Sequence, residues 1–172
     1  MTDTAPFFVA APQALARLEL WAEPAGASAR FAAAFGADLP LLGQATTVGA
    51  LRVVGCEARA WMVRGPLGEV KDLTRRLAAV AADDGAATDI SGGLARIPLT
   101  GCDWRILLTH GGVFDAENPT FAPGCVAGTV IEHMAVRLDV VTADQVDVYV
   151  AASYAQDLLG FWTQAARGLD VR

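Results

Sequence analysis

The feature that most constrains the fold of this chain is an order of predicted elements that occurs twice: a strand, a helix, a strand hairpin and a second helix. Apolar and polar residues that alternate with a period of two indicate the strands, and apolar residues at helical spacing indicate the helices. This order predicts an α+β fold of two fused strand–helix–hairpin–helix halves, with mainly antiparallel sheets covered by helices.

The first half contains the clearest helix signal of the sequence. Val70 and the apolar residues three, seven and ten positions after it share one helical face. Ser28 is placed to cap an earlier helix, and Gly36 lies where that helix is expected to stop. In chain order, the prediction is a strand at 17–22, a helix at 30–35, a loop at 37–47, strands at 51–54 and 60–63, and a helix at 69–82.

The second half carries clear strand and helix-start signals. Valines at alternate positions predict a strand at 146–150. Asp103 could cap a short helix that runs to His110, and the capping-box pattern from Ser153 to Gln156 predicts the start of the final helix. The other predicted elements are strands at 88–91, 94–100, 125–131 and 135–141 and a loop at 113–124.

The length and composition favour one folded domain. The chain has 172 residues, of which 53% are hydrophobic, and this is enough apolar material for a core. No low-complexity linker interrupts it. We therefore expect a single domain over residues 1–172, with possible halves at 14–86 and 87–172.

The charge balance argues against nucleic-acid and membrane partners. The net charge is −6, Lys71 is the one lysine, and no basic run exists to displace counterions from phosphate. No apolar run reaches the roughly 18 residues needed to span a bilayer. The start has no basic signal-peptide region, and so we expect a cytoplasmic protein.

Common catalytic and cofactor motifs are missing from the sequence. It contains no phosphate-binding Gly-x-x-x-x-Gly-Lys, no dinucleotide-binding G-x-G-x-x-G after a strand and no G-x-S-x-G. Its three cysteines form no C-x-x-C pair, and His110 and His133 belong to no H-E-x-x-H motif. We expect no metal site, no catalytic residues and no cofactor bound by this chain alone.

Two groups of residues are candidates for binding. Asp89 and Ser91 precede the Gly92-Gly93 turn, where they could bind a polar ligand or hydrogen-bond the turn backbone. Phe114, Phe121 and Pro123 lie in the predicted loop at 113–124. The aromatic residues of this loop could anchor a neighbouring subunit or fold back onto their own core.

Five segments in order resemble one known family. Over residues 50–166, the chain resembles the gamma subunit of heterotetrameric sarcosine oxidase. The matching segments are Ala60-Trp-Met-Val; Thr88-Asp-Ile-Ser-Gly-Gly; Ile97-Pro-Leu-Thr-Gly101; Phe121-Ala-Pro-Gly-Cys125 followed by Gly128-Thr; and Val146-Asp-Val-Tyr-Val with Ser153-Tyr.

The resemblance implies a fold like the folate-binding domain of aminomethyltransferase and a noncatalytic role in a complex. The implied partners are large alpha and beta flavoprotein subunits and a small delta subunit. The implied cofactors of the assembled complex are FAD, FMN, NAD and tetrahydrofolate, and its substrate is sarcosine or a related N-methyl amino acid. The alternative is a stand-alone folate-binding or one-carbon-transfer protein, in which Asp89 would hold the pterin ring.

Overall fold

The computed structural model describes residues 8–21, 23–101 and 103–169. These residues form two compact units. The first unit comprises residues 12–91, and the second comprises residues 92–169 together with 8–11. The boundary lies between Ser91 and Gly92, beyond the predicted boundary between residues 86 and 87. That the whole chain acts as one domain stays a prediction.

The first unit is a five-stranded antiparallel sheet with two α-helices. The strand order is β2-β3-β4-β1-β5, and short 3-10 turns flank the second helix. The elements are β1 (Ala14–Leu20), α1 (Ala25–Phe35), β2 (Ala45–Val48), β3 (Leu51–Glu57), β4 (Ala60–Gly65), α2 (Val70–Ala81) and β5 (Gly85–Asp89).

The second unit is a four-stranded antiparallel sheet with two α-helices. Its strand order is β6-β9-β8-β7. If β6 to β9 are matched to β1 to β4, this is the order of the first sheet without β5, and so the two units share one topology. The elements are β6 (Leu94–Thr100), α3 (Trp104–Thr109), β7 (Val126–Ile131), β8 (Met134–Thr142), β9 (Gln145–Ala151) and α4 (Ala155–Leu169).

Each unit has its own apolar core between its sheet and its helices. In the first, Leu77 on α2 and Phe31 on α1 are fully buried with residues of β1, β3 and β4. In the second, Trp104 on α3 and Trp162 on α4 are buried with the alternating valines of β9. The predicted α+β class with antiparallel sheets is therefore confirmed, together with the hairpin β3–β4 and the helix α2.

The predicted loop at 37–47 was wrong at its end, because Ala45–Val48 forms β2 and pairs with β3. Hydrogen bonds from the backbone N–H of Gly43 to the oxygen of Gly55, and of Gly55 to the oxygen of Gln44, bring this segment against β3. Gly55 allows the close approach, because a Cβ there would lie 2.2 Å from the backbone oxygen of Leu41. Tertiary pairing therefore made a strand from a segment too short to show alternation.

Two predicted helix starts were also wrong. α1 begins at Ala25, and Ser28 lies inside it with its N–H bonded to the oxygen of Pro24 at 2.7 Å. Proline has a φ suited to a helix start, here −69°, which explains the earlier beginning. Ser153 lies within the 3-10 turn Ala152–Tyr154, which leads directly into α4 at Ala155, and so it does not immediately precede the helix. The helix stop at Gly36 is confirmed, with φ of 80°.

Strand ends differ from the predictions by a few residues. The strand predicted at 17–22 is β1, Ala14–Leu20, and residue 22 lies outside the described residues. The two strands on either side of Gly92-Gly93 belong to different sheets. One is β5, which ends at Asp89, and the other is β6, which begins at Leu94. Such shifts are typical of element boundaries read from sequence.

Candidate functional site

The turn after β5 holds the two predicted ligand-binding residues. The hydroxyl of Ser91 donates to Oδ1 of Asp89 at 2.6 Å, and the backbone N–H of Ser91 donates to the same oxygen at 2.9 Å. The hydroxyl bond, and then the backbone bond, hold the pKa of the Asp89 carboxyl below its usual value. Asp89 is exposed. Its carboxylate is ionised at neutral pH because the pKa is lowered, and the two hydrogen bonds fix its orientation.

Ser91 also closes the end of the β1–β5 ladder. Its Oγ accepts the backbone N–H of Leu15 at 3.0 Å, and the N–H of Ile90 donates to the oxygen of Leu15 at 2.8 Å. The structure therefore brings Asp89 and Ser91 together and ties both into turn and strand backbone. A role for either in binding a ligand stays a prediction.

The three predicted interface residues occupy the long loop between α3 and β7. Phe121 is 6% exposed and packs edge-on against Phe114 and Trp104, with ring centroids 4.8 and 6.3 Å apart. Arg105 on α3 donates to the backbone oxygens of Ala116 and Phe121. The aromatic residues thus fold onto their own unit, while Pro123 is exposed. Their contact with a partner stays a prediction.

Neither histidine lies in a cluster of metal ligands. Nδ1 of His110 is 3.3 Å from the backbone oxygen of Ile106 at the end of α3. His133 lies with Glu132 in the turn between β7 and β8, where Glu132 has φ of 56°. Among the described residues, no group of three His, Cys, Asp or Glu could hold a metal ion. Cys102 lies outside them.

Two buried carboxylates were missed by the sequence analysis. Asp139 on β8 and Asp147 on β9 are paired in register, and both are fully buried. Arg96 on β6 donates to Asp147 at 2.9 Å, and Gln145 donates to the same oxygen at 3.0 Å. In the sequence, Asp147 alternates with valines, a pattern typical of a strand with one face toward solvent, and so nothing marked it as buried. The cluster contains an ion pair whose carboxylate, Asp147, is fully buried and whose arginine, Arg96, is 19% exposed.

Three open depressions mark the surfaces of the individual units. The first, of about 290 Å³, is lined by Phe35, Glu69 and Arg76 with the β2–β3 turn. The second, of about 330 Å³, lies between α1 and α2 and is called here the α1–α2 groove. Its lining residues are Arg30, Ala33, Ala34, Arg76, Ala79 and Val80. The third, of about 210 Å³, lies on the second unit around Arg137 and Tyr149.

None of these three depressions is lined by Asp89, Ser91 or a histidine. From the sequence, Arg76 was expected to lie on the solvated side of α2, and its proximity to Arg30 was not predicted. Arg30 and Arg76 lie on different helices, and only the packing of α1 on α2 brings them to one surface.

Comparison with known proteins identifies the family. The sequence model described as "Sarcosine oxidase, gamma subunit family" matches residues 20–168. The chain belongs to this family. The resemblance predicted from the five segments is therefore confirmed, and no curated protein sequence matches the chain.

Solved structures show the fold of this gamma-family chain. A chain of the heterotetrameric sarcosine oxidase from Corynebacterium sp. U-96, in complex with pyrrole 2-carboxylate, is similar over 96% of this chain and 85% of that chain, with a TM-score of 0.84 and 18% identity. The glycine cleavage system aminomethyltransferase T from Bartonella henselae is similar over 91% of this chain, with a TM-score of 0.67 and 14% identity.

The chain spans 44% of that aminomethyltransferase. The predicted aminomethyltransferase-like fold is confirmed by these two likenesses. In the described part of this gamma-family chain, no helix combines the length and the apolar character needed to cross a bilayer.

Proposed function

We propose that this chain is the noncatalytic small (gamma) subunit of a heterotetrameric, flavin-dependent oxidase or dehydrogenase of sarcosine or a related N-methyl amino acid. The observation that carries the proposal is family membership over residues 20–168. The shared fold over 96% of the chain supports it. In this role, the chain stabilises an assembly with large alpha and beta flavoprotein subunits and a small delta subunit in the cytoplasm.

The cofactors of the assembly, FAD, FMN, NAD and tetrahydrofolate, are assigned to the other subunits. Cofactor sites enclose most of the ligand surface in pockets of roughly 300–1,000 Å³. The largest of the three depressions has about 330 Å³ and is open to solvent. This volume is at the lower end of that range, and we assign no cofactor and no chemical step to these depressions.

Reconstitution of the complex tests this role. The alpha, beta and delta subunits are co-expressed with and without this chain, and assembly size, flavin content and sarcosine oxidation are measured. We expect omission of the chain to lower the yield and thermal stability of the complex, and the isolated chain to be colourless. Unchanged yield, stability and turnover without the chain would overturn the proposal, and stoichiometric flavin on the isolated chain would refute its noncatalytic part.

The fold shared with aminomethyltransferase T favours one second candidate, a stand-alone folate-binding or one-carbon-transfer protein. The oriented carboxylate of Asp89 would then contact the pterin ring. Titration of the isolated chain with tetrahydrofolate, followed by tryptophan fluorescence, tests this candidate against an Asp89→Asn variant. A dissociation constant of about 1 mM corresponds to a binding free energy near −4 kcal/mol. No change in fluorescence up to about this ligand concentration would exclude the candidate.

A further inference from the structure

The α1–α2 groove of the first unit combines an apolar lining with two cationic side chains. Ala33, Ala34, Ala79 and Val80 supply the apolar part, and Arg30 and Arg76 supply the charge. No acidic residue lines it, whereas Glu69 lines the neighbouring depression. The alanine side chains are short, and so they leave room for the side chains of another molecule.

The two arginines of the groove have different roles. Arg30 is paired with Asp84 at 2.8 Å and donates from Nε to the backbone oxygen of Val80 at 2.7 Å, and it thereby joins α1 to the end of α2. Arg76 donates to the oxygen of Ala34 at 2.7 Å and lies over the ring of Phe35, 4.1 Å from its centroid. The charge of Arg30 is therefore already neutralised by a carboxylate.

Arg76 is held in place without an anionic partner. Across the described residues, its contacts are the oxygen of Ala34 and the ring of Phe35, and neither carries a charge. A guanidinium has five N–H donors in a planar fork that suits a carboxylate. An arginine whose side chain is already positioned loses less conformational entropy when it binds.

The groove differs in charge from the chain as a whole, which has a net charge of −6. Arg30 is paired with Asp84 and Arg75 with Asp72, and so Arg76 is the cation of the groove lining that has no ion pair among the described residues. Its charge favours an acidic group of a partner at this position.

We propose that the α1–α2 groove is a docking surface for an acidic segment of a large partner subunit. A small apolar side chain of that segment packs on the alanines, while an adjacent Asp or Glu carboxylate pairs with Arg76. An inorganic anion would use the arginine but not the apolar lining, and so the combination favours a polypeptide. This inference rests on the proposed function, because it names the surface through which the gamma subunit joins the assembly.

A matched pair of substitutions tests the groove without touching its arginines. Ala78 and Ala79 are adjacent exposed residues of α2, but only Ala79 lines the groove. We expect Ala79→Glu to weaken association of the chain with the co-expressed alpha and beta subunits about tenfold or more, because it fills the groove and neutralises Arg76. Ala78→Glu adds the same charge outside the groove and is expected to change association less than about twofold.

A second matched pair tests the charge itself. Arg75 is the neighbour of Arg76 but pairs with Asp72 and lines neither depression of this unit. Affinity is measured in low and high salt, and circular dichroism melting confirms that each variant is folded. Arg76→Gln is expected to lower affinity in low salt and to flatten the salt dependence, while Arg75→Gln retains the wild-type salt dependence.

The outcomes separate the two proposals. If the wild-type chain does not bind the large subunits, the proposed function fails. If the wild-type chain binds but both variants of each pair bind equally well, only the groove assignment is overturned. If instead the isolated wild-type chain self-associates and Ala79→Glu abolishes this, the occupant is a second copy and the proposal is overturned.

Discussion

In the first unit, the helix that follows the opening strand runs for 11 residues, whereas its counterpart in the second unit runs for six. Phe31 and Phe35 of the long helix α1 stack against each other, with centroids 4.6 Å apart. In the second unit, the loop after α3 supplies Phe121 to the core, where it packs on Trp104. Aromatic side chains therefore fill the core beside the same strand order from a helix in one unit and from a loop in the other.

The largest expected effect compares Phe31→Ala with Phe121→Ala. Both side chains are buried, and truncation of a buried phenylalanine destabilises by about 3–5 kcal/mol. We expect both variants to lose this much free energy of unfolding in urea titrations, because the loop residue is as much a part of its core as the helix residue. A loss below about 1 kcal/mol for Phe121→Ala would contradict the claim that the loop residue contributes to its core as much as the helix residue does.

The second prediction compares the free energy of unfolding that is lost when one partner of an ion pair is removed from each sheet. Asp147 is fully buried and pairs with Arg96, which is 19% exposed, whereas the carboxylate of Glu57, bonded to Arg17 at 3.0 Å, is 55% exposed. Removal of one partner from a buried pair costs about 3 kcal/mol or more, because the other charge stays buried. We expect Asp147→Asn to destabilise by about this amount and Glu57→Gln by less than about 1 kcal/mol in the same urea assay. Equal effects would contradict this contrast.

The third prediction compares two arginines, one in each unit, that hydrogen-bond to backbone oxygens of another segment. Arg105 donates to two loop carbonyls and lies over the Trp104 ring, 4.2 Å from its centroid, while Arg30 ties α1 to the end of α2. We expect Arg105→Ala to destabilise by about 1–3 kcal/mol and to speed proteolytic cleavage in the loop, since charged hydrogen bonds to backbone are lost. Cleavage sites are mapped by mass spectrometry. Arg30→Ala, the control, should leave the cleavage of this loop unchanged.

The last prediction concerns a change in pKa at the turn that follows β5. The second unit has no strand that corresponds to β5. Ser91→Ala removes the hydroxyl bond to Asp89, and so the pKa of that carboxyl should rise toward its ordinary value of 3.8. Because the folded-state pKa is the lower one, the stabilising contribution of Asp89 is present at neutral pH and is lost as the pH falls from 3.8 through the folded-state value. Carboxyl NMR titration measures the shift.

Thr88→Ala is the control for this titration, because Thr88 is an exposed neighbour on the same strand. An unchanged Asp89 pKa in Ser91→Ala would contradict the assigned cause.

Periodic patterns account for the part of the fold that could be predicted from the sequence. α2 was predicted because Leu73, Leu77 and Val80 repeat at helical spacing. The structure shows that all three are buried. β2 was not predicted, since four residues give no clear alternation and the strand exists through its pairing with β3. Short segments therefore depend on contacts that are distant in sequence.

The candidate site was less predictable than the fold. The proximity of Asp89 and Ser91 was predictable because a turn brings residues together that are close in sequence. The burial of Asp147 and the arginine pair of the α1–α2 groove depend on packing between elements that local patterns do not encode. Family resemblance carried the functional conclusion, because the residues that dock a subunit need no motif.

The edge strand β7 has a consequence for how this subunit must be produced. Its six residues contain neither a charge nor a proline, and on its outer side the described residues show one bridge, from Ile131 to Gly112. Unprotected strand edges are templates for pairing with other chains. Surplus copies made without partners would therefore be prone to aggregate, and balanced synthesis of all subunits would keep the cellular pool of orphan chains small.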